Sequence, residues 1–223
     1  DWGDDRNSLN AIDQAIVSTH RDADGRAGLE ERLTESLSSD ISACAKGFVC
    51  RKLRVIGTDA CVPTLAALLE DAELSHMARY ALERIPTADA GRAMQESLPK
   101  LADAQKIGVI ASLGVRQEAS SVPILARLLS GTSVSVAKAA AAALGAIRSS
   151  AAAKAITGAE STQPEVQAAV NDASFACAES LLHAGDKAMA LSIYKRLDTE
   201  SNPKHVRLAA KRGILACVRG SAS

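Results

Sequence analysis

Apolar residues recur along the chain at spacings of three and four, the period of an amphipathic helix. Two such stripes are Met77, Ala78, Ala81, Leu82 and Ile85, and then Val136, Ala137, Ala140, Ala141, Leu144 and Ile147. Runs in which β-branched and polar residues alternate are lacking, so the pattern predicts no strand. It predicts an all-α protein of roughly 12 to 13 helices.

A longer pattern repeats through the middle of the chain. An apolar residue followed by Gly or Pro ends one helix, a short turn follows, and a second helix closes on Leu-Leu. The helix-ending pairs are Ile56-Gly57, Ile85-Pro86, Leu113-Gly114 and Leu144-Gly145, at spacings of 29, 28 and 31 residues. Pro63 and Pro123 open two of the second helices, where a proline breaks no helical hydrogen bond. One helix pair cannot bury both sides of its stripes, so the repeat predicts a stacked array.

The repeat units carry a family resemblance. Ser75–Leu82 and Val136–Gly145 resemble the short HEAT repeats named after phycobilin lyases, and Ala45–Ile156 is similar to HEAT-repeat regions of large bacterial exported proteins of unassigned function. The resemblance implies an α-solenoid of about six antiparallel helix pairs. It weakens from residue 160 onward, where Ala178–Leu197, with Gly185-Asp186 at its turn, fits a tetratricopeptide hairpin equally well. Both families imply antiparallel helices.

We therefore expect one array over residues 1–223, in three parts. Residues 1–42 form an acidic N-terminal cap with helices near 8–20 and 26–38, residues 43–156 form the HEAT-like repeats, and residues 157–223 form helical pairs with a basic cap. Terminal repeats need polar outer faces for solubility. The tail Gly220–Ser223 is expected to fray.

Composition supports closely packed helices without aromatic anchors. Apolar residues make up 47% of the chain but aromatic residues only 2%, with Trp2 the single tryptophan. Alanine, which is abundant here, is the best helix former. The five cysteines contain no C-x-x-C pair, and we interpret them as small buried apolar residues. These are Cys44, Cys50, Cys61, Cys177 and Cys217. No segment approaches the ~20 apolar residues of a membrane span.

Charge is balanced overall and separated along the chain. The net charge is zero, but residues 1–40 carry 4 Arg against 10 Asp and Glu, whereas residues 187–223 carry 8 basic against 2 acidic residues. Zero net charge argues against a nucleic-acid-binding protein. A basic end patch is predicted on the last helix, at Lys204, Arg207, Lys211 and Arg212. Opposite ends could attract in a salt-dependent head-to-tail self-association, and the alternative is two ordinary charged caps.

The chemistry of known HEAT-fold enzymes is missing from the sequence. No two of the four histidines lie within one helical turn, and there are no His-Glu dipeptides of the kind that iron-dependent hydroxylases of this fold use. With so few aromatic rings, the base-holding cradle of the alkylpurine glycosylases is hard to build. No phosphate loop or nucleophile elbow occurs. We expect no catalytic residue, no metal and no cofactor. A lyase-like enzyme or a nucleic-acid-binding HEAT protein is kept as the alternative.

The inner helix faces of the predicted array are the candidate binding surface. The candidate residues are Arg51, Arg54, His76, Arg79, Tyr80, Lys106, Ser112, Arg116 and Lys138. Several are cationic, which favours an acidic protein or peptide partner, and the alternative is an ordinary solvated face. We expect a non-catalytic scaffold for protein–protein interaction. For localisation, the exported relatives and the missing initiating Met favour export, whereas unpaired cysteines fit the cytoplasm.

Overall fold

The structure is a computed structural model that describes residues 7–159 and 161–219 of the 223-residue chain. The described residues form 13 α-helices and four short 3-10 helices, and they contain no strand, so the all-α prediction is confirmed. Trp2 and the predicted fraying of Gly220–Ser223 lie outside the described residues. Among the helices described, none combines the length and hydropathy needed to cross a bilayer.

The chain divides into two compact units, Asp1–Lys100 and Leu101–Ser223. The first unit contains α1 (Asn7–Ser18), α2 (Ala23–Leu37), α3 (Ala43–Ile56), α4 (Val62–Ala67), α5 (Ser75–Leu82) and α6 (Ala88–Ser97). The second contains α7 (Asp103–Val115), α8 (Val122–Leu129), α9 (Val134–Ile147), α10 (Ser150–Thr157), α11 (Pro164–His183), α12 (Lys187–Leu197) and α13 (Lys204–Arg219). The two predicted N-terminal helices are present as α1 and α2.

In the first unit α3 lies between α2 and α5, and α4 contacts both α5 and α6. Pro63 stands in the first turn of α4, as the sequence predicts. The side chains of Leu53, Leu65 and Leu82 are completely buried, so the apolar stripes of α3, α4 and α5 form the core of this unit.

The second unit repeats this arrangement. Helices α7, α9 and α11 lie side by side, while α8 and α10 contact each other and pack against α9 and α11. Helix α12 then packs on α11, and α13 packs mainly on α12. Every member of the predicted stripe Val136–Ile147 on α9 is buried. On α13, Val206 and Ala210 are buried whereas Ala209 is exposed.

Two predicted helix-ending glycines are inside helices instead. Gly114 lies within α7 and Gly145 within α9, and both are buried. They are needed for close helix contact: a Cβ atom at Gly114 would lie 2.9 Å from the Cα of Ala143, and one at Gly145 would lie 2.8 Å from the Cα of Ala173. At Gly57 the prediction is confirmed, because α3 ends at Ile56.

Left-handed residues end three helices of the second unit. Gln117 (φ 52°) follows α7, Arg148 (φ 54°) follows α9, and Gly185 (φ 88°) follows α11. At Gln117 and Gly185 the next residue donates its N–H five residues back, to the carbonyls of Leu113 and Leu181, which completes a Schellman motif. The predicted turn at Gly185-Asp186 is therefore present.

Four of the five cysteines are buried as predicted, and Cys44 is exposed. All five are free thiols. Burial raises the pKa of Cys50 and of Cys177 to about 11. Burial also raises the pKa of Cys61 to about 12, with a further contribution from its contact with the Glu30 carboxylate. A neutral buried thiol behaves as a small apolar residue, so these three serve packing rather than nucleophilic chemistry.

Candidate protein-binding face

The nine candidate binding residues fall into two groups, one in each unit. The first unit holds Arg51, Arg54, His76, Arg79 and Tyr80, which lie on α3 and α5. We call these five residues the α3–α5 face. The second unit holds Lys106, Ser112, Arg116 and Lys138, on or next to α7 and α9.

Helix α5 presents its polar residues on one side. His76, Arg79, Tyr80 and Glu83 follow one another at i, i+3, i+4 and i+7, which places them on a single helical face. A guanidinium nitrogen of Arg79 lies 2.8 Å from Nδ1 of His76, and another lies 3.6 Å from a carboxylate oxygen of Glu83. A guanidinium can only donate, so the imidazole accepts at Nδ1 and carries its proton on Nε2. Arg79 is therefore held by two neighbours on its own helix.

Helix α3 places two further arginines against this side of α5. The guanidinium of Arg54 lies over the Tyr80 ring, 4.3 Å from its centroid, and that of Arg51 lies 5.8 Å from the ring centroid of Phe48. Buried Gly47 of α3 faces α5, and a Cβ atom there would be in ordinary contact with the Met77 side chain at 3.5 Å. Cation–π stacking fixes the plane of a guanidinium and leaves its N–H edge for a ligand.

The α3–α5 face has an excess of positive charge. It carries three guanidinium groups, of which that of Arg79 lies 3.6 Å from a carboxylate oxygen of Glu83. Among the described residues, neither Arg51 nor Arg54 pairs with a carboxylate, and Nε of Arg54 is buried without a hydrogen-bond partner. An arginine without a carboxylate partner favours planar anions such as carboxylates, which a guanidinium can bind in a bidentate manner.

The second group is less suited to binding a partner. Lys106 lies 3.8 Å from Asp103, and Arg116 lies 3.7 Å from Glu118, so both cations are paired with near neighbours in sequence. Lys138 is exposed on α9. Ser112 is fully buried, so its prediction as a surface residue is wrong. A serine hydroxyl can bond to the carbonyl one turn earlier in its helix, and such a serine is compatible with a core position.

The basic end patch lies on α13 and includes apolar neighbours that the charge pattern did not predict. Arg207 and Lys211 each lie 3.9 Å from Asp198, whereas Lys204 and Arg212 are exposed. On the same helix the side chains of Leu208, Leu215 and Val218 are 51%, 53% and 59% exposed. Their spacings of seven and three residues were visible in the sequence, but a fully packed last helix would have the same pattern.

Two buried polar contacts were not predicted from the sequence. Glu30 is 4% exposed, and its carboxylate accepts hydrogen bonds from the Thr58 N–H at 2.7 Å and the Thr58 hydroxyl at 3.0 Å. In the second unit, buried Asn171 donates to Asn202 at 3.0 Å and accepts from Gln167 at 3.1 Å. The partners of Glu30 and Asn171 are 28 and 31 residues away, about one repeat length. This separation of about one repeat length is the feature of the sequence from which the two contacts could have been predicted.

Within residues 7–159 and 161–219, no three His, Cys, Asp or Glu side chains come together in a way that could hold a metal ion. On the α3–α5 face, His76 and Glu83 both engage Arg79. The arrangement of this face is therefore suited to holding an anion.

Comparison with known proteins finds similar solved structures. No protein-family model matches the chain, and no curated protein matches it. The crystal structure of an engineered protein is similar to it, with 21% sequence identity and a TM-score of 0.44. That likeness covers 86% of this chain and 97% of the engineered protein.

Proposed function

We propose that this chain is a non-catalytic, HEAT-like scaffold whose α3–α5 face binds an acidic segment of a protein partner. The observation that supports this function is the state of Arg51 and Arg54. Both guanidiniums lie against aromatic rings, and neither pairs with a carboxylate among the described residues. A partner carboxylate would supply the missing acceptor.

The stacked arginine gives a physical reason for affinity. Stacking on Tyr80 restricts the Arg54 side chain before a ligand arrives, so binding loses less side-chain entropy than at a free arginine. A hydrogen bond between charged groups contributes about 1.5–3 kcal/mol. A second partner carboxylate would compete with Glu83 for Arg79, which lies beside the stacked pair on α5. An acidic segment therefore suits the face better than a single anion.

Binding of a labelled oligoglutamate peptide, followed by fluorescence anisotropy, tests this proposal. We expect Arg54→Ala to weaken binding by about tenfold, which corresponds to one charge-assisted hydrogen bond. Arg51→Ala should have a similar but smaller effect, because its guanidinium lies farther from its ring. Arg92→Ala is the matched control, since Arg92 is an exposed arginine of the same unit that pairs with Asp89.

The competing functions make different predictions in the same assay. If Arg54→Ala and Arg51→Ala bind the peptide as tightly as the unsubstituted chain, the α3–α5 face is not the binding surface. If a single-stranded oligonucleotide displaces the peptide at much lower concentration, a nucleic-acid partner replaces the acidic protein. In that case the affinity should fall steeply with salt.

A further inference from the structure

Helix α13 has an outer side that combines exposed apolar and basic residues. Leu208, Leu215 and Val218 share this side with four cations, and none of the 16 residues of the helix is acidic. We call this surface the α13 face, and its members are Lys204, Leu208, Lys211, Arg212, Leu215, Val218 and Arg219. The opposite side of the helix carries the buried residues Val206, Ala210 and Cys217. Exposed leucines at seven-residue spacing are typical of a helix that packs against another helix.

The first unit contains a groove of complementary character beside α2. Its volume is about 760 Å³, and it is bounded by α2 and by Ile56, Thr58 and Ala60. Small residues lie along it: Ala27, Gly28 and Thr34. A Cβ atom at Gly28 would meet nothing within 4 Å. This absence of bulk leaves room for larger side chains from another helix.

The charges of the groove are mainly acidic. Glu31 and Glu35 are exposed along its wall, one helical turn apart. Glu30 is engaged with Thr58, and the guanidinium of Arg26 donates to the backbone carbonyls of Ile16 and Val55. The two exposed carboxylates are thus the groove charges available to a visiting helix. We call this surface, with Ala27, Gly28, Glu31, Thr34 and Glu35, the α2 groove.

The α13 face and the α2 groove match in spacing, size and charge. Leu208 and Leu215 are seven residues apart on α13, as are Ala27 and Thr34 on α2. Large apolar side chains would therefore meet small ones at both positions in an antiparallel pair of helices. Lys211 and Arg212 lie between the two leucines, Glu31 lies between Ala27 and Thr34 on α2, and Glu35 directly follows Thr34.

We propose that the α13 face of one copy of this chain docks in the α2 groove of a second copy. Such a contact is heterologous, because it joins different surfaces of the two copies and leaves one free groove and one free α13 face. Further copies can then add. The opposite charges accelerate and orient the encounter, while the leucines supply the apolar burial. The residues are distinct from those of the α3–α5 face, so either proposal can fail without the other.

Sedimentation velocity and light scattering test the contact on the whole chain. The average mass of the unsubstituted chain should rise with concentration at low salt and return towards the monomer at high salt. A tail variant, Lys211→Glu with Leu215→Ser, should remain monomeric, as should a head variant, Glu31→Lys with Glu35→Lys. All four substituted side chains are exposed, but Lys211 lies 3.9 Å from Asp198, so circular dichroism of each variant checks that folding is preserved.

Mixing the two variants gives the decisive result. The tail variant keeps an intact α2 groove and the head variant keeps an intact α13 face, so together they should form a one-to-one dimer that cannot grow. Glu73→Lys with Glu96→Lys is the matched control. It makes the same charge change at exposed sites of the first unit outside the groove and should associate like the unsubstituted chain.

Three outcomes would overturn the proposal. One is a monomeric mass at all concentrations up to about 100 μM, which covers the range of weak interfaces. Another is a mixture of head and tail variants that stays monomeric, because this would exclude a head-to-tail contact. The third is a monomeric chain that binds phosphatidylserine vesicles through the α13 face, which would assign that amphipathic surface to a membrane.

Discussion

Gly114 of α7 lies directly against Ala143 of α9, so closely that a Cβ atom at Gly114 would come within 2.9 Å of the Ala143 Cα. One repeat later Gly145 has the same relation to Ala173 of α11, at 2.8 Å. Contacts this short to backbone are not found for real Cβ atoms, and a rigid backbone cannot move aside as a flexible side chain can. The two glycines therefore set the spacing of three neighbouring helices.

Alanine at either glycine should destabilise the protein. The added methyl group forces α7 or α9 away from its neighbour, at a cost of about 1–3 kcal/mol for overpacking, which exceeds the ~1 kcal/mol gained from better helix propensity. The midpoint of urea unfolding should fall for Gly114→Ala and Gly145→Ala. Gly28→Ala is the control, because position 28 is also inside a helix but has free space around it. That variant should be more stable than the unsubstituted chain, and a shift of Gly114→Ala in the same direction would contradict this account.

These glycines show how far the sequence could predict the fold. The three- and four-residue period identified the helices and the buried stripes, because burial alone determines that pattern. An apolar residue followed by Gly, however, is compatible both with a helix end, as at Ile56-Gly57, and with a close helix crossing, as at Leu113-Gly114. Only the position of the neighbouring helix separates the two. The true helix ends at Gln117 and Arg148 carry no glycine, so they left no signal in the sequence.

The α3–α5 face could also be predicted only in part from the sequence, because spacing does not determine side-chain contacts. Repeat spacing brought α3 and α5 side by side, so Arg54 and Tyr80 could be assigned to one surface. Their stacking depends on side-chain conformations that no spacing determines. Ser112 was assigned wrongly because a small polar residue can be satisfied by its own helix backbone and then buried.

Glycine at the two left-handed positions should stabilise the second unit. A non-glycine residue in this conformation costs about 1–2 kcal/mol relative to glycine. Arg148→Gly should therefore raise the free energy of unfolding by about 1 kcal/mol. Gln117→Gly should gain less, since the Gln117 amide donates to the carbonyl of Ala146 at 3.2 Å and that bond would be lost.

The free energies of unfolding of Arg148→Gly and Gln117→Gly, measured by chemical unfolding, should be compared with that of Arg127→Gly. Arg127 lies within α8, so glycine there should destabilise by about 1 kcal/mol. If Arg148→Gly were as destabilising as Arg127→Gly, the left-handed conformation at position 148 would be wrong.

The buried carboxylate of Glu30 should contribute to the stability of the first unit. Its Oε1 accepts from both the N–H and the hydroxyl of Thr58. Glu30→Ala removes these acceptors, and we expect a loss of about 2 kcal/mol, as for other hydrogen bonds to charged groups. Glu30→Gln should lose less, because its amide oxygen can still accept from the Thr58 N–H.

Glu31→Gln is the control for the Glu30 series, because Glu31 is the adjacent residue but exposed. Its effect on the urea midpoint should be within about 0.5 kcal/mol, as is usual for surface substitutions. Equal stability losses for Glu31→Gln and Glu30→Ala would show that the Thr58 contact contributes nothing.

Stability should fall above pH 9 because of the buried thiols. Burial raises the pKa of Cys50 and Cys177 from 9.0 to about 11 in the folded protein. Between these values the unfolded chain has released protons that the folded chain retains, so the free energy of unfolding decreases as pH rises. Below pH 9 both states are protonated and the contribution is fully present. Each thiol should contribute a loss of about 1 kcal/mol from pH 9 to pH 10.

Cys50→Ala should therefore flatten the dependence of the urea midpoint on pH, whereas Val49→Ala, a neighbouring core truncation without a thiol, should lower the midpoint and leave its pH slope unchanged. Identical slopes for Cys50→Ala and Val49→Ala would mean that Cys50 ionises equally easily in the folded and unfolded chains.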